Sequence, residues 1–216
     1  MNKDITPFSK GFDQHAKRTW QRMLSGRRLN LIDPSPLDIE IEDIALGLAR
    51  NTRWNGQTKG PHGWSVAQHS DFVTSIVQQQ KPNAKAALLM AAQLHDAPEY
   101  VTHDLITPFK AIVGGIYKEV ETRLMQAIHL RFGLPAILSE EMHLMIKKAD
   151  KIAAATEAVQ LAGFSPKEVV SILGIKEKPL PNTILIPVPV AHAEKQFLRN
   201  FRSIEASFQL QKRRFP

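Results

Sequence analysis

The 216-residue chain contains no cysteine. That removes disulfides, thiolate metal sites and cysteine nucleophiles together, and it suits a reducing compartment. Long apolar runs are also missing. The longest, around "AALLMAAQL", is far too short to span a bilayer. The N-terminal "MNKDITPFSKGFD" is polar and has no signal-peptide core. No internal repeat and no low-complexity tract is present. Acidic residues are the minority, 21 against 28 Lys and Arg, which leaves a net charge of +7. Such an excess suits anionic partners, nucleotides or nucleic acid, and equally a solvated basic surface. It is densest in "SGRRLN" and in the terminal "QKRRFP". What is there is a 43% hydrophobic composition in a length suited to one large domain. The expectation is a cytoplasmic protein with a single domain over 1–216, its core over about 40–160 and both extensions packed on it.

Helical signals dominate. "FDQHAKRTWQRML" predicts a first helix, and "SGRRLNLIDPSPLDI" a loop punctuated by Pro34 and Pro36. Ile41, Ile44, Ala45 and Leu48 recur at i, i+3, i+4 and i+7, one face of a helix. After the glycine-rich "NGQTKGPHGW", Ser65 with Gln68 three residues on predicts a capping box and a helix to about Gln80. A core helix is expected over about 83–97. Pro98 ends or kinks it, because it has no N–H and crowds the carbonyl of Leu94. "THDLITPFK" is expected as a loop. "IYKEVETRLMQAIHLRF" is amphipathic and stops at Gly133. Ser139 opens a long helix that carries Met142, Ile146, Ala149, Ala153 and Thr156 and ends at Gly163. "SPKE" from Ser165 supplies an N-cap, an N1 proline and a capping-box Glu. "KEKPLPNTILIPVPV" holds four prolines and is expected as an extended segment or edge strand, before a last helix from about Ala191. The fold class is all-α, a helical bundle with short extra helices and a proline-rich extended segment.

Several polar residues sit where such helices bury their faces. His69 lies in the first turns of the Ser65 helix, and His95 and Asp96 end the next. Asp150, flanked by Lys147, Lys148 and Lys151, has Ile146 and Ala153 at i−4 and i+3, so it borders a buried stripe. Two imidazoles and two carboxylates on three helices can form one metal site inside a bundle. A cation satisfies carboxylates that burial would otherwise leave unpaired. Nitrogen and oxygen donors without sulfur suit one divalent transition metal, Mn, Fe, Co, Ni or Zn, with Mg also admitted. Each residue alone has a plainer use. His69 suits a buried structural histidine, His95–Asp96 a bond to a neighbouring helix, and Asp150 a pair with Lys147. Spacing alone does not decide.

The set, with its flanks "SVAQHS", "LLMAAQLHDAPE" and "IKKADKIAAATEA", resembles the HD-domain metal-dependent phosphohydrolases over about residues 40–160. The closer likeness is to the 5'-deoxynucleotidase branch. It is carried by "RW" at Arg53 and Trp54, by Glu99 after the doublet, and by "DLITPFK" with Asp104, Thr107 and Lys110. The resemblance implies that His69, His95, Asp96 and Asp150 hold the metal. It implies that Arg53, Trp54, Thr107 and Lys110 bind substrate, and that Glu99 and Asp104 act near the attacking water. Arg53 offers a planar fork for phosphate, and Trp54 a face for sugar or base. On an unbroken helix Glu99 stands about 40° round and roughly 6 Å along from His95, in reach of general acid–base work. Pro98 and His103 depart from the pattern, which has small residues there.

The expected function is hydrolysis of nucleotides, foremost removal of phosphate from deoxynucleoside 5'-monophosphates. Alternatives on the same scaffold are a deoxynucleoside triphosphate triphosphohydrolase and a guanosine tetraphosphate hydrolase. From another class comes a nucleotide- or nucleic-acid-binding protein without turnover, which the basic ends favour and the intact ligand set opposes. The expected partner is a small nucleotide, with no membrane and no nucleic acid, and a homodimer is the candidate assembly.

Overall fold

The computed structural model describes residues 18–214, and helices dominate them. The exception is a hairpin of β1 (Trp20–Arg22) and β2 (Arg28–Asn30), antiparallel with Trp20 opposite Asn30. It replaces the described part of the helix expected over 12–24, whose residues up to 17 lie outside the described ones. The reason is tertiary. Leu29 alternates with exposed Arg28 and is fully buried, the period-two pattern of a strand. The Ser25 amide and hydroxyl both donate to the Asp43 carboxylate, which fixes the turn.

Nine α-helices follow among the described residues. In α1 (Ile41–Arg50), Ile44, Ala45 and Leu48 are buried, as the spacing predicts. α2 (Val66–Gln80) is capped by Ser65, whose hydroxyl accepts from the Gln68 amide at 3.2 Å. The capping box is only half made. The Gln68 side chain instead donates to Ile186 O and accepts from Val188 N, pinning the proline-rich segment. α3 (Ala86–Gln93) stops four residues short of the expected end, so the His-Asp doublet lies in the turn that follows. α4 (Glu99–Thr102) begins only after Pro98, so Glu99 does not share an unbroken helix with His95. α5 (Thr107–Val113) occupies part of the segment expected as a loop, with Pro108 in its first turn, where its missing N–H is no loss.

α6 (Gly115–Arg131) and α7 (Glu140–Gln160) follow, the latter capped by Ser139 as expected. α8 (Pro166–Ser171) carries the full capping box of Ser165 and Glu168. Residues 176–189 form neither helix nor strand. They are held by Gln68 and by Gln160, whose amide donates to Thr183 O and accepts from Leu185 N. α9 (Val190–Arg214) lies across α1, α2 and α3 and buries Phe197 and Phe201 completely. One apolar cluster runs from Leu29 to Phe208. α1 meets α4 so closely that a Cβ on Gly47 would come within 2.7 Å of Tyr100 Cβ and O. Glycine at 47 therefore sets the seat of the helix that carries Glu99. Among the described residues no helix is long and apolar enough to cross a membrane.

Asp71 of α2 accepts from Gln93 of α3 at 2.6 Å. Burial nonetheless pushes its carboxyl up to about 6, from 3.8. Between those values the folded chain holds a proton that the unfolded chain has released, so stability is lost as pH rises through about 6. Asp71→Asn should therefore melt higher than the wild type at about pH 8, with a smaller gap at about pH 4.5. Thermal melts at both pH values check this, and a gap independent of pH contradicts it.

Candidate metal centre and cleft

Two helices, α2 and α7, and the turn after α3 bring the predicted metal-holding residues together. His69, in the first turn of α2, is fully buried. Its Nε2 lies 3.2 Å from His95 Nε2, 3.4 Å from Asp150 Oδ1 of α7 and 3.4 Å from Asp96 Oδ2. His95 Nε2 and Asp96 Oδ2 are 3.3 Å apart. Ligands at about 2.0–2.2 Å around a common ion sit about 3.0–3.4 Å from one another, so these spacings are those of a coordination shell. His69, His95 and Asp150 each offer one ligand atom within 4.8 Å of the others, a group that fits a divalent metal. Asp96 Oδ2 also faces Arg53 Nη1 at 3.5 Å. Asp150 turns Oδ1 toward His69 and Oδ2 toward Lys147 at 3.3 Å.

Hydrogen bonds on the far side of each ring fix what the rings present. His95 Nδ1 lies 2.8 Å from the Ala92 carbonyl, which can only accept, so Nδ1 carries the proton. His69 Nδ1 lies 2.6 Å from Glu157 Oε1. Burial works to raise Glu157, yet the Arg53 guanidinium and His69 hold it down to about 2, so it too only accepts. Both Nε2 atoms are thereby turned toward the carboxylates of Asp96 and Asp150. Burial opposes ionisation of both acids, but the two histidines keep Asp96, and His69 above all keeps Asp150, below the usual carboxylate range. The cluster calls for positive charge at its centre.

Glu157 was not singled out by the sequence reading. It lies seven residues after Asp150, about 10 Å along the same face of α7. It is completely buried, and Oε2 accepts from Arg53 Nε at 2.9 Å and Trp54 Nε1 at 3.2 Å. The signal available was a lone acid inside the alanine-rich "IAAATEA". Arg53 reaches it because the chain loops out and back. Thr52 bridges Ser65, Arg53 N donates to Trp64 O, and Trp54 and Asn55 adopt left-handed φ of 57° and 55°. Such strain in non-glycine residues costs of order 1–3 kcal/mol and persists where surroundings enforce it. Here Trp54 packs on Phe164 with ring centroids 5.8 Å apart.

A cleft of about 660 Å³ opens from His95, Asp96 and Asp150 along α6 and α7. Met125, Ile137, Leu138 and Ile146 line its apolar part, and Lys110, Lys118 and Lys147 its basic part. Glu99 faces the cleft from a buried position, with Oε2 lacking any hydrogen-bond partner and Oε1 3.4 Å from Lys110 Nζ. Burial, then the charges of Asp96 and Asp104, push its carboxyl well above the ordinary range, against the pull of Arg53 and Lys110. Asp104 is half-buried in the turn between α4 and α5 and acts on Glu99, Arg53 and Lys110 through its charge. Thr107 is exposed at the head of α5 and, like Arg53, Trp54 and Asp104, lies outside the cleft lining. Lys110→Met removes a cation beside Glu99, so the protonation midpoint of Glu99 should rise further. Carboxyl ¹³C NMR titration reads it, and an unchanged or lower midpoint contradicts the arrangement.

The 5'-deoxynucleotidase YfbR-like family matches the chain over residues 46–168. An uncharacterized protein of Rhodobacter capsulatus is 55% identical over 158 residues, 73% of this chain and 81% of that protein. The uncharacterized protein YfdR of Escherichia coli is 31% identical over 168 residues, 77% of this chain and 85% of that one. The matched stretch contains every residue of the metal group, the cleft acids and Glu157. With its helical bundle and its His, His-Asp and Asp order, this chain belongs to the YfbR-like 5'-deoxynucleotidase family, within the HD-domain phosphohydrolases.

Proposed function

We propose that this chain is a metal-dependent nucleotidase that removes phosphate from deoxynucleoside 5'-monophosphates. The observation that carries the reading is the set of Nε2 and carboxylate oxygen atoms of His69, His95, Asp96 and Asp150. Four of their six pairs are 3.2–3.4 Å apart, and the group opens on one side to a cleft. The family supports a phosphohydrolase acting on nucleotides. In this reading His69, His95, Asp96 and Asp150 hold one divalent transition metal, with the cleft side left open as catalytic sites require. That ion supplies Lewis acidity and lowers the pKa of water.

The chain's own residues do the rest. The Arg53 guanidinium, Nε fixed by Glu157, turns Nη1 toward the metal group as a charge-assisted contact for phosphate. Lys110, which lines the cleft beside Glu99, adds a second cation. Trp54 braces Arg53 through their shared bond to Glu157, and its half-buried ring is the candidate contact for the sugar. Glu99, kept protonated by its burial, gives its proton to the leaving 5' oxygen as water attacks phosphorus and the P–O5' bond breaks. Nucleoside and inorganic phosphate result. Asp104 positions the water or takes its proton. The apolar walls at Met125, Ile137, Leu138 and Ile146 suit the nucleoside.

A second reading, a triphosphohydrolase, is favoured by one observation: three lysines line the cleft, more than a single phosphate needs. Product analysis separates the two. Purified protein with Mn, Co, Mg or Zn and a panel of deoxynucleotides should release inorganic phosphate from monophosphates. Release of triphosphate from triphosphates supports the second reading, and no turnover of any nucleotide rejects both. Asp96→Ala should lose turnover and bind metal more weakly. Glu99→Gln should keep its metal while kcat falls by about 10²–10⁴, the usual range for a lost general acid or base. Should Glu99→Gln stay active while Asp104→Asn is dead, the proton role belongs to Asp104.

A further inference from the structure

We infer that Glu157 is a positioning residue that ties the metal group to the phosphate-holding arginine, so that one buried carboxylate sets both binding events. The inference rests on the metal-centre reading above. Glu157 has no exposed surface and spends both oxygens: Oε1 on His69 Nδ1 at 2.6 Å, Oε2 on Arg53 Nε at 2.9 Å and Trp54 Nε1 at 3.2 Å. All three partners are donors. Asp96 closes the circuit on the other side, with Oδ2 3.4 Å from His69 Nε2 and 3.5 Å from Arg53 Nη1. His69 and Arg53 are therefore held at a fixed separation between two carboxylates. Glu157 Oε1 turns His69 Nε2 toward the metal group, and Glu157 Oε2, by engaging Arg53 at Nε, leaves the terminal guanidinium nitrogens on the side of that group. Outer partners of this kind typically change metal affinity 10–100-fold when lost.

A glutamine at 157 has nearly the same shape but offers one acceptor and one donor end. With its NH₂ toward His69, it donates to Nδ1, drives the ring proton onto Nε2 and blocks metal binding. With its NH₂ toward Arg53 and Trp54, donors face donors and Arg53 loses its anchor. Neither orientation satisfies all three partners. An aspartate keeps an acceptor-only group on a shorter arm, so it should retain the His69 tautomer better than glutamine does.

The test uses the full chain with Mn²⁺ alone, followed by EPR of the free ion, then inorganic phosphate added to the Mn²⁺-saturated protein. Glu157→Gln, checked by thermal melting to be folded, should bind Mn²⁺ about 10–100-fold more weakly. It should also bind phosphate more weakly at saturating Mn²⁺, with Glu157→Asp intermediate. A folded Glu157→Gln with wild-type affinity for Mn²⁺ and phosphate overturns the inference. A second readout does not depend on the variant folding: ¹H–¹⁵N spectra of the Zn²⁺-loaded wild type should show the His69 proton on Nδ1. A proton absent from Nδ1 overturns the inference as well. A wild type that binds neither metal overturns the metal-centre reading itself, and this inference with it.

Discussion

The Glu157 carboxylate, with no exposed surface of its own, accepts from an imidazole, a guanidinium and an indole that arrive from two other stretches of chain. A buried charge is tolerated only when fully paired and hydrogen-bonded. That requirement constrains everything around it. α7 must run straight past α2, because Glu157 and Asp150 meet the two nitrogens of the same His69 ring from points two turns apart on one helix. The segment before α2 must fold back on itself, because Arg53 has to reach Glu157 while Ser65, twelve residues on, caps the helix that carries His69. The Thr52–Ser65 bridge and the left-handed Trp54 and Asn55 are what that return demands.

Interruption of the helices serves the same end. α3 ends at Gln93 instead of continuing through Pro98, so His95 and Asp96 lie in a turn and both side chains reach the metal group. Adjacent residues on a regular helix point about 100° apart and would not share a centre so readily. Pro98 then restarts the chain as α4, which Gly47 allows to seat against α1, and Glu99 is delivered to the cleft wall. Glu99 thus occupies a buried, largely unpaired position within the fields of Asp96 and Asp104, where a carboxyl keeps its proton. Both acids are buried, but Glu157 is held ionised by the donors around it, whereas burial and the charges of Asp96 and Asp104 favour the neutral form of Glu99.

Much of this was legible in the sequence where a local signal coincides with the final structure. Ser139 and Ser165 caps, glycines at 133, 163 and 174, and the Ile44–Leu48 stripe mark helices that tertiary packing only confirms. The order His69, His95–Asp96, Asp150 marked the metal group, and the structure brings those four side chains together. Failures arose where distant partners outbid local ones. Gln68 forgoes its capping box for carbonyl and amide groups 118 and 120 residues away. Three-residue strands at Trp20 and Arg28 are too short to show a period against helix-compatible residues. α5 begins beside a proline that reads equally as loop. Glu157 was hidden for a different reason: its role comes entirely from Arg53, Trp54 and His69, and no spacing in the chain announces it.

The central claim is that His69, His95, Asp96 and Asp150 surround one divalent ion beside the cleft. Anomalous diffraction from Mn²⁺-loaded crystals tests it most directly. The account predicts one peak about 2.0–2.3 Å from His69 Nε2, His95 Nε2 and the carboxylate oxygens of Asp96 and Asp150, with its open side toward Glu99. A peak elsewhere, or ligation that omits His69 or Asp150, would contradict it.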